Sequence, residues 1–426
     1  MLKFKDFLKE ETRPITLMEE VLLEQKAATK ETESDDKGKL HELLLSKYLH
    51  PESRLPDHHR SFSDNEDHAG TPEQVHDRLK EKVGTAAYNE INSHAQQTAE
   101  ELKKHMKEQG HLSEGDRISN VFWTSNPDKV KGENKIEGDH QKTTGVHDPN
   151  ANADLIVRIT DKNGNHKHVG ISAKYGSQEP NFRNPGLDSL EKMAGLKTGT
   201  LNAHSDAHKE SMDKLGYTGG ADNRNYQTKV DELAAKGGID AVRQELAKHQ
   251  GTLDSGKKLT GNKKFMYENA KKFVEGHDAL PEKERAGYLT QAASRAAMAR
   301  ASNLESRKAM VKDFHGALSQ KTPEELTSMI KGAVSPDTHI PHIVAHSQVK
   351  DDGSAVSHVK PMHSLADEHF SQFDMSTLTP HLGSGTSVAF KARAHKNGKM
   401  MNVARINIKS SSGAHKNAVG SLKLKD

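Results

Sequence analysis

Asn150–Gly176 reads NANADLIVRITDKNGNHKHVGISAKYG, and its pattern sets the architecture expected for the chain. ADLIVRIT is apolar and β-branched, DKNGN is turn chemistry, and HKHVGISAKYG returns to strand character, so the stretch predicts a β-hairpin. Antiparallel pairing about a turn near Asn163-Gly164 leaves arms of roughly ten residues. Asp154 and Lys174 therefore fall at the same end of the hairpin, where a carboxylate and an ammonium can serve one site.

The flanks carry polar groups suited to such a site. Downstream, YGSQEPNFRNPG presents Tyr175, Gln178, Asn181, Phe182, Arg183 and Asn184: a stacking ring, amides and a cation, as a loop touching a nucleic acid would. Upstream, Asp148 precedes Pro149 and is either a loop cap or an extra oxygen ligand. RISNVFWTSNP reads as another strand and holds the only tryptophan, Trp123, for which core packing is the plainer expectation.

Composition narrows the classes. Hydrophobic residues make up 32% and charged residues 29% of 426, so the core must be concentrated in a few segments of two or three domains. Lys+Arg 62 against Asp+Glu 60 gives +2, so any polyanion must be held by local patches. The absence of cysteine excludes disulfides, thiolate zinc sites and a cysteine nucleophile. With no apolar run of membrane-spanning length and no signal-peptide core, the expectation is a soluble cytoplasmic protein.

Residues 1–37 read as a short amphipathic docking helix, with Leu2, Phe4, Phe7 and Leu8 on one side, followed by a charged linker. Leu40, Leu43, Leu44 and Tyr48 then mark a helix. Thr71-Pro72 opens another, and a longer one stops at Gly110. From Leu187 to about Val334 nearly everything is helical; Arg295–Arg307 reads as a solvated face, with phosphate contact as the alternative. Beyond 335 strands return. HIPHIVAHSQV and SAVSHVKPM pair across Asp352-Gly353, and SVAFKARA pairs with the strand after Asn397-Gly398. Val388, Phe390 and Ala392 opposite Val403, Arg405 and Asn407 leave a basic face on which Lys391, Arg393, Arg405 and Lys409 are candidate nucleic-acid contacts. KSSSGAHKNAVGSLKLK ends the chain in Gly, Ser and Lys suited to phosphate.

An acid entering an apolar strand (Ala153-Asp154-Leu155-Ile156-Val157), followed by a strand closing in Ile171-Ser172-Ala173-Lys174, resembles the PD-(D/E)XK nuclease superfamily. The resemblance implies a restriction-endonuclease-like α/β (α+β) core: a mixed central sheet flanked by helices, here over 38–196. A large helical insertion follows over 197–335, then C-terminal β-hairpins over 336–426 that extend the sheet. It also implies that Asp154 binds Mg²⁺ or Mn²⁺, that Lys174 positions or activates water, and that DNA is the substrate and partner. Such a site needs charge neutralisation and an in-line hydroxide, which a carboxylate-bound Mg²⁺ supplies. The chain departs from the pattern at Ser172, where the superfamily carries a second acid and this sequence offers a hydroxyl. Glu42 and Glu90 are the candidates for the helix-borne glutamate of the superfamily, with Asp148 as a further ligand. A second copy of the chain, as a homodimer, is compatible with the same reading. The opening MLKFKDFLKEE resembles the starts of proteins of large tailed phages.

Two other readings compete. A core that has lost its metal site leaves a nucleic-acid-binding or virion protein, and Ser172 favours it. His339, His342, His346, His358 and His363 offer imidazoles for zinc, but at irregular spacing and, for the first three, without a neighbouring acid.

Overall fold

The hairpin forms because both of its arms carry β-branched and apolar residues that are buried, and its turn is chemically specified. In the computed structural model β3 (Leu155–Thr160) and β4 (His166–Gly176) pair antiparallel from Leu155↔Ile171 to Thr160↔His166. Asp161 Oδ1 accepts from the Asn163 and Asn165 amides, both at 2.8 Å, and Gly164 takes φ 84°, a left-handed conformation that glycine tolerates at no steric cost. The described residues are 36–58, 71–123, 153–176, 181–183, 185–254, 259, 261–334, 340–350, 352–383, 385–410 and 418–424.

The hairpin is the middle of a six-stranded mixed sheet. On one side β2 (Arg117–Trp123) pairs antiparallel with β3, and the two-residue β1 (Asp57–His58) runs parallel to β2. On the other, β6 (His342–Val349) runs parallel to β4, and β7 (Ala355–Pro361) closes the sheet antiparallel to β6. The β6–β7 turn is the one expected, with Gly353 at φ 80°.

Three helices lie against one face of this sheet: α1 over 36–49, α2 (Pro72–Val83) and α3 (Thr85–Glu108). Thr71 caps α2 in a capping box with Gln74. Leu40, Leu43, Leu44, Ile91 and Leu102 pack with Val157, Ile171 and Ala345 into one core. Each fully buried leucine contributes roughly 2 kcal/mol.

The helical segment comprises α4 (Leu187–Ala194), α5 (Thr200–Lys214), α6 (Ala221–Asp254, kinked at Gly237 and Gly238), α7 (Gly261–Asp278), α8 (Glu282–Leu318) and α9 (Pro323–Val334). The arginines of Arg295–Arg307 on α8 are paired within the fold and do not form the solvated face expected for them. Arg295 meets buried Asp231 at 2.9 and 3.1 Å, Arg300 meets Glu232 at 2.6 Å, and Arg307 is buried beside Asn303. These cations tie α6 to α8, or one turn of α8 to the next. Sequence shows a charge run without showing the acids that neutralise it from another helix.

After β7, α10 (Met362–Phe370) leads into β8 (Phe373–Leu382), β9 (Ser387–Ala394), β10 (Met400–Ser410) and β11 (Ala418–Leu424). With β5 (Asn181–Arg183) these form a second sheet in the order β5-β11-β10-β9-β8. Its inner face packs on α4, α8 and α9 through Phe314, Ile330, Phe390, Ile406 and Leu422. Two expectations are corrected here. The register shifts at a bulge between Asn402 and Ala404, so Val388, Phe390 and Ala392 face Ile406, Ala404 and Met401, not the expected set of Val403, Arg405 and Asn407. Residues 418–424 are a paired strand with Leu422 and Leu424 in the core, not a polar tail.

Candidate functional site

The hairpin brings its two charged ends together. Lys174 Nζ lies 2.9 Å from Asp154 Oδ2, with both side chains about a quarter exposed (26% and 22%). The Asp154 amide donates to the Ile171 carbonyl at 3.0 Å, one residue out of the regular ladder, so the backbone bends where the carboxylate emerges. In β4, Ser172 and Lys174 share one face, and Ile171, Ala173 and Tyr175 share the other, toward α1. Ser172 is buried.

Glu42, the candidate helix-borne carboxylate, lies on α1. Four apolar neighbours, Leu40, Leu43, Leu44 and Leu45, anchor α1 against the sheet and hold Glu42 at 7% exposure. The indole N–H of Trp123 donates to Glu42 Oε2 at 3.0 Å, and Lys39 Nζ meets both its oxygens at 3.0 and 2.9 Å. Burial raises the Glu42 pKa above the ordinary range and the charge of Asp154 raises it further, while Lys39 opposes. Glu42 is thus ion-paired with Lys39 and Asp154 with Lys174, and the charge of Asp154 is felt at Glu42.

Glu90 is placed elsewhere: it is exposed on α3, where its charge acts on His94 and Tyr175. Tyr175 points into a buried polar seam, 4.9 Å ring to ring from His41, and burial pushes its hydroxyl up to about 12. Asp148 and Gln178 lie outside the described residues, as do residues 1–35 and the side chains of Asn181 and Arg183, whose backbones form β5. Lys391, Arg393, Arg405 and Lys409 sit on the second sheet.

Three residues near the pair were not read as part of it. Lys39 and Trp123 hold Glu42; the i, i+3 spacing of Lys39 and Glu42 was the available signal for the first. His346 stands opposite Lys174 in the β4–β6 register, and His346 Nε2 meets the carbonyl of Gly176 at 3.2 Å, which fixes the end of β4 just past Lys174. Burial is the main reason its pKa is lowered, with His358 and Lys174 adding to it.

The donor set suits a hard cation. Mg²⁺ takes oxygen ligands and is commonly held by one or two carboxylates while keeping several waters, which is what Glu42 and Asp154 offer. No group of three or more His, Asp or Glu able to hold a metal occurs among the described residues; His339 of the zinc reading lies outside them. No helix among the described residues is long and apolar enough to cross a membrane.

No family model and no curated protein matches the sequence. Among solved structures, the chain is similar to the crystal structure of the restriction endonuclease MspI in complex with its cognate DNA. Identity is 10%, the match covers 82% of this chain and 90% of that one, and the TM-score is 0.28. At that score the likeness carries no argument of its own, and any functional reading has to come from the site.

Proposed function

We propose that the protein is a metal-dependent nuclease that hydrolyses phosphodiester bonds of DNA, as an endonuclease or exonuclease, with Asp154, Glu42 and Lys174 at its centre. The observation that carries the reading is the Asp154–Lys174 contact at 2.9 Å, made where β3 begins and β4 ends. Asp154 and Glu42 would hold Mg²⁺ or Mn²⁺, which when bound neutralises the phosphate and lowers the pKa of a coordinated water. Lys174, 2.9 Å from Asp154, would place a donor beside the attacked phosphate. Lys39 and Trp123 hold Glu42 in place, so the second carboxylate meets the ion without reorganising.

The reading predicts that the protein cuts DNA in Mg²⁺ or Mn²⁺ and is silent in EDTA. Asp154→Ala or Lys174→Ala should lower the rate roughly 10²–10⁴-fold with the melting curve little changed. Cutting that persists in both variants rejects the site. Ser172 supports a second reading, a non-catalytic DNA-binding protein built on the same core, because the acid two residues before the lysine is missing. That reading predicts DNA retention indifferent to EDTA and to Asp154→Ala, with no cutting under any divalent cation.

A further inference from the structure

The second sheet has two unlike faces. Val388, Phe390, Ala392, Ile406, Ile408 and Leu422 point inward to the helices, so the residues between them point outward. Those outward positions hold Lys391 and Arg393 on β9, Arg405 and Lys409 on β10, and Lys423 on β11. Arg405 is directly opposite Lys423. Among the described residues the register places one carboxylate on this face, Asp374, at the far side opposite Arg393.

We infer that this outer face is the surface on which duplex DNA docks through its phosphates, feeding the site at Asp154 and Lys174. The inference rests on the nuclease reading for the identity of the polyanion; the place and the form of the contact come from the sheet. Lys423 pairs with Asn181 of β5, which is seven residues from Lys174, so chain length and one strand spacing put the edge of the cationic face within about 30 Å of the site. The outward register positions of β8 to β11 that carry described side chains are Lys, Arg, Asp, Thr, Ser, Asn, His, Ala and Met, with no Phe, Tyr or Trp among them. Single-strand binding without sequence preference relies on aromatic stacking platforms, whereas a duplex presents phosphates that lysine and arginine neutralise. Sheet strands stand about 4.8 Å apart, so β9 to β11 spread their cations over a patch that faces both strands of a duplex rather than tracking one.

The test measures binding, not cutting. Fluorescence anisotropy of the full chain in EDTA, with a labelled DNA duplex and the same strand alone over a series of salt concentrations, gives Kd and its salt dependence. The expected result is duplex preferred over single strand. Lys391→Glu with Arg393→Glu should raise the duplex Kd at least tenfold and lower the slope of log K against log salt by about 2, at roughly 0.9 per phosphate contact. The charge-keeping pair Lys391→Arg with Arg393→Lys should retain wild-type affinity, and matching circular dichroism should show all three proteins equally folded. An unchanged Kd and slope in the charge-reversed protein, or tighter binding of the single strand, overturns the inference. Because no metal is present, loss of cutting with intact duplex binding counts against the nuclease site alone, and cutting with binding untouched by charge reversal counts against this surface alone.

Discussion

His41 shows how one residue links the core to solution conditions. It is fully buried, its Nε2 lies 2.7 Å from Ser347 Oγ, and Ser347 in turn meets Thr98 at 2.6 Å. Burial, with His94 and His346 adding to it, lowers its pKa to about 3 from 6.5. The unfolded chain takes up this proton below pH 6.5 and the folded one does not, so the stability His41 supplies is complete above 6.5 and is lost as pH falls toward 3. The loss for this group is about 1.4 kcal/mol per pH unit in the steep part. Urea midpoints measured between pH 7 and 5 should fall, and His41→Gln should flatten the dependence by about one proton; an equally steep curve in the variant would place the acid sensitivity elsewhere. Asp154 and Lys174 were legible in sequence because strand alternation and Asn163-Gly164 fix their pairing. The Glu42 environment was half legible: the helix and its apolar side were readable, but the Trp123 indole that holds the carboxylate comes from 81 residues away.

At the scale of elements, the parallel pairing of β4 with β6 completes the central sheet. Gly170, at the start of that pairing, has no room for a side chain: a Cβ there would lie 2.6 Å from the His342 ring and 3.0 Å from Ala153 Cβ. Gly170→Ala should therefore cost about 1–3 kcal/mol of stability by overpacking, read as a shifted denaturant midpoint. A neutral result would mean that His342 swings away freely. Helices and hairpins were readable because their signals are local: the capping residues at Thr71, the turns at Gly353 and Gly398, the period of Leu40, Leu43 and Leu44. The pairing of β4 with β6 was not, since nothing in 166–176 names a partner at 342–349. β11 was misread because its two core leucines stand among lysines, glycine and serine, a composition that mimics a tail.

Over the whole molecule, the cores are separate. Tyr226, Val230, Val242, Met266 and Phe273 form a cluster of α6, α7 and the start of α8 that shares no residue with the cores of either sheet. Trp123, the sole tryptophan, reports on the central sheet, while far-UV ellipticity is dominated by the helices. In urea, ellipticity should begin to fall at lower concentration than the shift in Trp123 emission, because a smaller separate cluster opens first. Superimposable curves would show a single cooperative unit.

The adjacency of β4 and β6 also sets a schedule for synthesis. The 165 residues from 177 to 341 must leave the ribosome between the two strands. At 5–20 residues per second that is an interval of roughly 10–30 s during which the nascent β4 edge has no neighbour to close it. Open strand edges recruit other chains, so the newborn protein is most exposed to aggregation in that window, and slowing elongation within the helical segment would lengthen it.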